Sequence, residues 1–543
     1  MQQKVTTPSR KCYNCFYGTK WIKSRGAVLV LLLNCLAEST QAYLLTRVQR
    51  HPVILGIGMC TVLVLLPLCG WLADVYFGRY KVIHISLLAM WVTSLLNAVC
   101  VIVNRATMSQ IPIYIDYILL VIMVAGLCGF QANIIQFGID QLPDASSTEI
   151  VSFILWLAWT MSVSSIIAYA TSSSCLSAHL KYLHFATSLV VAVSLSLCMC
   201  LNQLFRHWLI KEPPTQDPFK LVLRVIKYAI KTKHPRQRSA FTFHEEELPS
   251  RFDFGKQKYG GPFTTEQVED VKTFLRIALV IAVGGFAAST QWGLNYSREL
   301  VVNHLNGWNR TKETLLACFE KTVVIHSDTI FVAGSVPLFE LVHLLLRKHL
   351  QPDRFNTFRK FALGVIFCLL QIITLLISEA KGQPDSNANC IFSNKKYSIV
   401  NIDYRVSISS GILAGSSFLA MFTASVKLIC SQSPYAMKGL LLGIGYGAIG
   451  FYNMINTLII VVFTHLESWE KIPLSCGFWY FLVLIILLLA FSIALFVIVK
   501  RVYKKRQRED VLLNEQTFAT DYYEKYITSS SSSDESSASI HSD

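Results

Sequence analysis

Gly70-Trp71-Leu72-Ala73-Asp74-Val75-Tyr76-Phe77-Gly78-Arg79-Tyr80-Lys81 is the stretch on which the reading of this chain turns. Asp74 sits between the glycines Gly70 and Gly78, two cations, Arg79 and Lys81, follow directly, and long apolar runs flank the whole string. Glycine permits a tight turn and the close approach of helices, while Asp74 and Arg79 can pair with each other or meet the end of another helix. A gate between two membrane spans can be built from these parts. The plainer reading is a positive-inside loop that happens to hold an aspartate.

Working outward, the apolar runs recur down most of the 543 residues, of which 53% are hydrophobic and 15% charged. Ordinary soluble domains carry about 25% charged residues, so a soluble enzyme is excluded as the default. Each run is near the roughly 20 residues that a helix needs to cross about 30 Å of hydrocarbon. Twelve spans are predicted, at 27–48, 53–73, 82–103, 112–135, 150–171, 182–205, 273–295, 322–346, 361–379, 406–431, 440–464 and 476–499. The fold class is therefore an all-α, polytopic membrane protein. The first span follows a polar, basic tail and is interrupted by Glu38-Ser39-Thr40-Gln41, with no small-residue cleavage site, so it is retained rather than removed as a signal peptide. A net charge of +15 would suggest nucleic acid in a soluble chain. Here the charges lie in loops between apolar spans, which membrane topology explains, and no nucleic-acid partner is expected. The partners expected are a small-molecule substrate and membrane lipid.

Most of the Lys and Arg fall on one side when both termini are placed in the cytoplasm, above all in the tail before residue 27 and between Arg206 and Lys272. The glycosylation sequons at Asn295 and Asn309 then lie at or beyond the outer end of helix 7, and Asn309 is the better acceptor. The organisation expected is a cytoplasmic tail (1–26), a six-helix bundle (27–205), a cytoplasmic linker (206–272), a second six-helix bundle (273–499) and a disordered, serine-rich acidic tail (500–543). Two such bundles enclosing a site near the midplane predict alternating access. Within the linker, Asp217 to Thr232 places Phe219, Val222, Val225, Ile226 and Ile230 at helical spacing among Lys and Arg, a pattern suited either to the inner leaflet or to packing on the bundle. Of the fifteen cysteines, most lie in apolar runs, where a thiol acts as a small hydrophobe. Cys12-x-x-Cys15 lacks two further metal ligands, no Walker sequence is present, and no metal, cofactor or enzymatic activity is expected.

Several further strings lie in order along the chain: Phe137-Gly138-Ile139-Asp140-Gln141 after helix 4, Trp156 and Trp159 on helix 5, Ser431-Gln432-Ser433-Pro434 with Met437-Lys438 between helices 10 and 11, and Tyr259-Gly260-Gly261-Pro262-Phe263 ahead of helix 7. With the stretch around Asp74, these resemble the proton-coupled oligopeptide transporters (solute carrier family 15) of the major facilitator superfamily. Pro67 and the segment before helix 7 are similar to its peptide/histidine branch. The resemblance implies a twelve-helix, six-plus-six transporter that moves small peptides or histidine-like solutes, with protons as co-substrate. It also implies roles for Asp140, Gln141, Trp156, Trp159, Gln432 and Pro434 as parts of the family's motifs.

The departures bear on coupling. Family members carry Glu-x-x-Glu-Arg on helix 1, where this chain reads Cys35-Leu36-Ala37-Glu38-Ser39, so only the second Glu remains. The helix 5 motif becomes Ala158-Trp159-Thr160-Met161-Ser162-Val163-Ser164, the helix 10 Glu that receives a peptide amino terminus aligns with Phe418, and another Glu aligns with Lys427. An ionisable group in hydrocarbon costs at least ~2.5 kcal/mol and persists mostly where it faces a cavity, which ranks Glu38 first as proton carrier or amine ligand. The alternative for Glu38 is a structural carboxyl bonded to neighbouring hydroxyls. Lys427 is either a cavity cation, pairing with Glu38 or a substrate carboxylate, or a lysine snorkelling to the surface. Tyr43 is a candidate pocket hydroxyl, and Glu340 with His343 is read as a solvated pair. Three functions stay open: a proton-coupled symporter, an uncoupled facilitator of other small organic solutes, and a transport-inactive scaffold or receptor. The membrane is either the plasma membrane or that of endolysosomes.

Overall fold

The computed structural model describes residues 24–40, 65–107, 113–143, 145, 147–172, 183–214, 217–231, 250–257, 260–304, 323–324, 326–345, 357–381, 404–434, 437–466 and 479–498. Among the described residues, twelve helices follow the order of the twelve predicted spans: α1 (Arg25–Ala37), α2 (Leu65–Phe77), α3 (Arg79–Thr107), α4 (Ile113–Asp140), α5 (Ser147–Ser172), α6 (Leu183–Leu204), α7 (Thr265–His304), α8 (Ser327–Leu345), α9 (Thr357–Lys381), α10 (Tyr404–Gln432), α11 (Lys438–Leu466) and α12 (Trp479–Ile498). A further helix, Pro218–Lys231, stands in the linker. Among the described residues, seven helices are long and apolar enough to cross a membrane. The described residues up to Phe491 form one compact unit, and the end of α12 from Ser492 falls outside it.

α3 packs on α4 and α6, and α1 packs on α4, α5 and α6. α10 packs on α7, α8, α9 and α11, and α7 also lies along α11. Between these groups α5 meets α8 and α10, while α11 meets α2 and α4. Where α2, α4 and α11 meet, small residues such as Ala132 and Cys128 pack with Leu66 and Tyr446, as expected where close packing must hold helices together in lipid. The apolar side chains left outward, such as Val121 and Val193, are the surface a bilayer would cover.

Two elements differ from expectation for local reasons. The connection between helices 2 and 3 shrinks to one residue, Gly78, because α2 continues through Phe77 in a wider last turn that the Gly78 N–H closes on the Ala73 carbonyl at 2.9 Å. Gly78 has φ +80°, which a side chain resists. α1 stops at Ala37 and turns through Glu38 and Ser39, where the Ser39 and Thr40 hydroxyls donate to the carbonyls of Leu36 and Ala37 and so compete with the helix ladder. α7 runs 40 residues, about 60 Å at 1.5 Å per residue, roughly twice the hydrocarbon thickness.

Candidate functional site

At the end of the bundle that carries the linker, Asp74 and Arg79 do pair. Arg79 Nε donates to Asp74 Oδ1 at 2.9 Å, and Nη1 donates to Asp140 Oδ2 at 2.6 Å. Gln136 Nε2 donates to the other Asp140 oxygen at 2.7 Å, and Glu212, from the segment after α6, lies 3.7 Å from Arg79. Burial pushes the Glu212 carboxyl above the usual carboxylate range, with the Asp140 charge adding to it and Arg79 opposing it. Lys81 points to solvent.

The Asp74 carboxylate also reaches across to α11, where the first-turn N–H groups of Gly439 and Leu440 face it. A carboxylate at a helix N-terminus meets unsatisfied donors and the positive end of the dipole. Only glycine allows this approach. A Cβ on Gly439 would fall 2.6 Å from Asp74 Oδ2, one on Gly70 would fall 2.6 Å from the Gly439 carbonyl oxygen, and one on Gly443 would fall 2.5 Å from Pro67 Cα. Gly70 therefore serves helix approach rather than a turn. Gly439-Leu440-Leu441-Leu442-Gly443 is a Gly-x-x-x-Gly pattern in an apolar run, a signal that sequence reasoning passed over.

Two more contacts close the same end. The Ser152 hydroxyl of α5 donates to Glu340 Oε1 of α8, and the Cys430 thiol of α10 lies 3.7 Å from Gln136 Oε1 of α4. Glu340 is buried, which corrects the solvated pairing with His343. The Ser152 partner is 188 residues away in sequence and invisible to helix spacing. The side chain of His343 lies outside the described residues. Nearer the middle, Trp159 Nε1 donates to the Ala333 carbonyl at 2.9 Å. Ala333 is four residues before Pro337 in α8, and a proline supplies no N–H to the carbonyl four residues back. The indole takes that place. Trp156 packs edge-on against Trp159 at 5.3 Å.

Glu38 is fully buried at the break in α1, with Gln131 Nε2 of α4 donating to Oε1 at 3.1 Å and Tyr446 of α11 within electrostatic reach. Around it the contact between α1 and α5 is neutral. Asn34 Nδ2 donates to Thr160 Oγ1 at 2.9 Å, and the Ser164 hydroxyl donates to the Cys35 carbonyl at 2.7 Å. Lys427 is half-buried and has no ion-pair partner among the described residues, so it is not brought to Glu38. Phe418 stacks on Phe422 at 5.4 Å, an apolar wall on α10. Tyr43 and Asn309 lie outside the described residues, as does the side chain of Asn295.

Gln141 ties the site to the linker: Nε2 donates to the carbonyls of Phe137 and Ile210, both at 3.1 Å, and Oε1 accepts the Ile210 N–H at 2.8 Å. Trp71 Nε1 donates to Asp217 Oδ1 at 3.2 Å, the same oxygen that caps the linker helix at Phe219 N–H. Gln432 and Pro434 shape the turn from α10 to α11, where the Met437 N–H donates to the Pro434 carbonyl at 3.0 Å. Gln131, Tyr446, Gly439, Gly443 and Ser152 join these groups without having been marked by sequence.

Among the described residues, the helices long and apolar enough to span a bilayer, with charged and glycine-packed contacts between them and a buried carboxylate at Glu38, make this an integral, multi-pass membrane protein. No family model matches the chain. Solute carrier family 15 member 3 of Mus musculus is 21% identical over 458 residues, which span 76% of this chain and 77% of that relative. The POT family transporter PepTSo superposes with a TM-score of 0.61 at 15% identity, covering 88% of this chain and 98% of that one. A POT family transporter in complex with 5-aminolevulinic acid gives 0.56 at 10% identity, covering 88% and 97%. The chain is thus similar in sequence to members of solute carrier family 15 and in fold to POT family transporters.

Proposed function

We propose that this protein carries small peptides or peptide-like amines across a membrane by rocking residues 27–205 against 273–499, with the linker 206–272 joining them. The observation that carries the reading is the Asp74–Arg79–Asp140 cluster set against the α11 N-terminus. It is a contact between halves made of charge and bare backbone, strong when closed and able to rehydrate when open. In this conformation the linker end is shut. Glu38 is the proton-carrying group in this reading: it is fully buried where α1 turns out of its helix, as the binding sites of transporters sit at discontinuous helices. Gln131 and Tyr446 position it from both halves.

The neutral α1–α5 contact favours a second reading, an uncoupled facilitator. Asn34 with Thr160, and Cys35 with Ser164, are joined by hydrogen bonds between uncharged groups, so coupling would rest on Glu38 by itself. Uptake of labelled dipeptide and of histidine into proteoliposomes, with and without an inward proton gradient, separates the readings. Symport requires flux that rises with the gradient and loses that dependence in Glu38→Gln. Gradient-independent flux in the unaltered protein selects the facilitator, and no flux under any condition selects the transport-inactive scaffold. Tracking of the intact protein to the plasma membrane or to endolysosomes assigns the membrane on which it works.

A further inference from the structure

The linker helix Pro218–Lys231 presents three faces with three chemistries. Pro218, Val222, Val225 and Ala229 are buried, the helix packs on α7, and Val222 and Val225 share an apolar cluster with Val271 and Phe274 at the start of α7. Beside that face run Phe219, Leu223 and Ile230, apolar side chains that are 46%, 50% and 79% exposed. Next round the helix come Lys220, Arg224, Lys227 and Lys231, spaced i, i+4, i+7, i+11 and all exposed. A helix that met only water and the bundle would need the first and third faces. The second is explained by a bilayer, into which such a stripe inserts while flanking cations reach the headgroups.

The depth fits. Val271 and Phe274 bracket the point where α7 passes from its charged first turns into its apolar run at residue 273, so the linker helix lies where hydrocarbon gives way to headgroups. Lys220 is held by Asp217 at 3.6 Å. Arg224, Lys227 and Lys231 have no carboxylate partner among the described residues, and they line one open groove of about 600 Å³ with Tyr228, Pro262 and Phe263. Phe263 packs edge-on against Tyr228 at 5.9 Å and closes the groove with an apolar wall. We propose that this groove binds the headgroup of an anionic lipid that carries a phosphomonoester in addition to its phosphodiester, with Phe219, Leu223 and Ile230 set among the acyl chains. Charge selects this occupant: three cations match a phosphomonoester of about −1.5 to −2 together with a diester, whereas a singly charged lipid leaves cations unmatched.

The test is native mass spectrometry of the full-length protein in detergent, titrated with phosphatidylinositol 4-phosphate, with phosphatidylserine and with soluble inositol 1,4-bisphosphate. The phosphoinositide is expected to bind most tightly. The variant Arg224→Gln/Lys227→Gln/Lys231→Gln should weaken it roughly 100-fold, Lys227→Glu alone should weaken it in the same direction, and Phe219→Ser/Leu223→Ser should weaken the lipid but not the soluble headgroup. Unchanged phosphoinositide affinity in the triple variant, or equal affinity for phosphatidylserine, overturns the site. Soluble bisphosphate binding as tightly as the lipid makes it a site for free phosphates and overturns the lipid assignment. The readout needs no transport, so its failure is distinct from failure of the transport reading.

Discussion

Removing the indole N–H at Trp159 should cost more when Pro337 is present than when it is absent. Trp159→Phe leaves the part-buried Ala333 carbonyl with no donor, because Pro337 has no N–H to offer it. An unpaired buried acceptor costs about 1–3 kcal/mol, and half-burial of the pair puts this case near the lower end. Loss of ring area and of part of the 5.3 Å edge contact with Trp156 adds about 1 kcal/mol, so the single substitution costs about 2 kcal/mol in all. In a Pro337→Ala background the new N–H serves the Ala333 carbonyl within α8, and Trp159→Phe should then cost only its packing share. The expected coupling is about 1 kcal/mol, measured as a double-mutant cycle in reversible unfolding of the full chain from mixed micelles. Costs that add to within about 0.3 kcal/mol would refute the claim that the tryptophan stands in for the missing amide.

Asp74→Asn removes the charge from the α11 N-terminus while Arg79 keeps Asp140, and Gly439→Ala pushes the carboxylate away by volume. A partly buried carboxylate on a helix end is worth up to about 2 kcal/mol, so amide exchange at Gly439 and Leu440 should quicken by roughly 30-fold in either variant, as read by exchange mass spectrometry of peptides spanning 437–445. Gly78→Ala forces a side chain into φ +80° and should lower stability by about 1–2 kcal/mol, seen as a reduced unfolding midpoint. In the linker, burial works to raise the Asp253 carboxyl. Hydrogen bonds from Lys256, Lys272 and Ser250 outweigh it and hold the group well below the usual carboxylate range, and Glu269, desolvated but bound by the same two lysines, is lowered too. Their contribution is present above the ordinary carboxylate pKa and is lost as pH falls through the folded values. The unfolding midpoint should therefore be flat from pH 7 to about 5 and drop below about 4, with a smaller drop in Asp253→Asn.

What the sequence disclosed follows the range over which each feature is encoded. The twelve helices, the Asp74–Arg79 pair five residues apart and the amphipathic linker segment were legible because span length, local charge and helical period are local properties. Asp140 came only through resemblance. Neither period nor charge says that Asp74 will meet an α11 amide more than 350 residues on, that Glu340 will receive Ser152, or that Gln131 rather than Lys427 will meet Glu38. Those partners are chosen by which helices lie side by side, and a single sequence does not state that. Gly439 and Gly443 were within reach, since their spacing marks a face for close helix contact. The partner of Trp159 was not, because a carbonyl exposed by proline becomes a target only once α5 and α8 are adjacent.

The length of α7 has a mechanical corollary. A stiff rod of about 60 Å that pivots near its middle by some 10° swings each tip by roughly 5 Å, and the linker helix is bolted to the turns at one tip. Under the rocking motion and the lipid contact proposed above, every stroke of the rod would drag that helix through the viscous boundary of the bilayer. Whatever grips it there sets a mechanical load on the cycle, acting from outside the path the cargo takes.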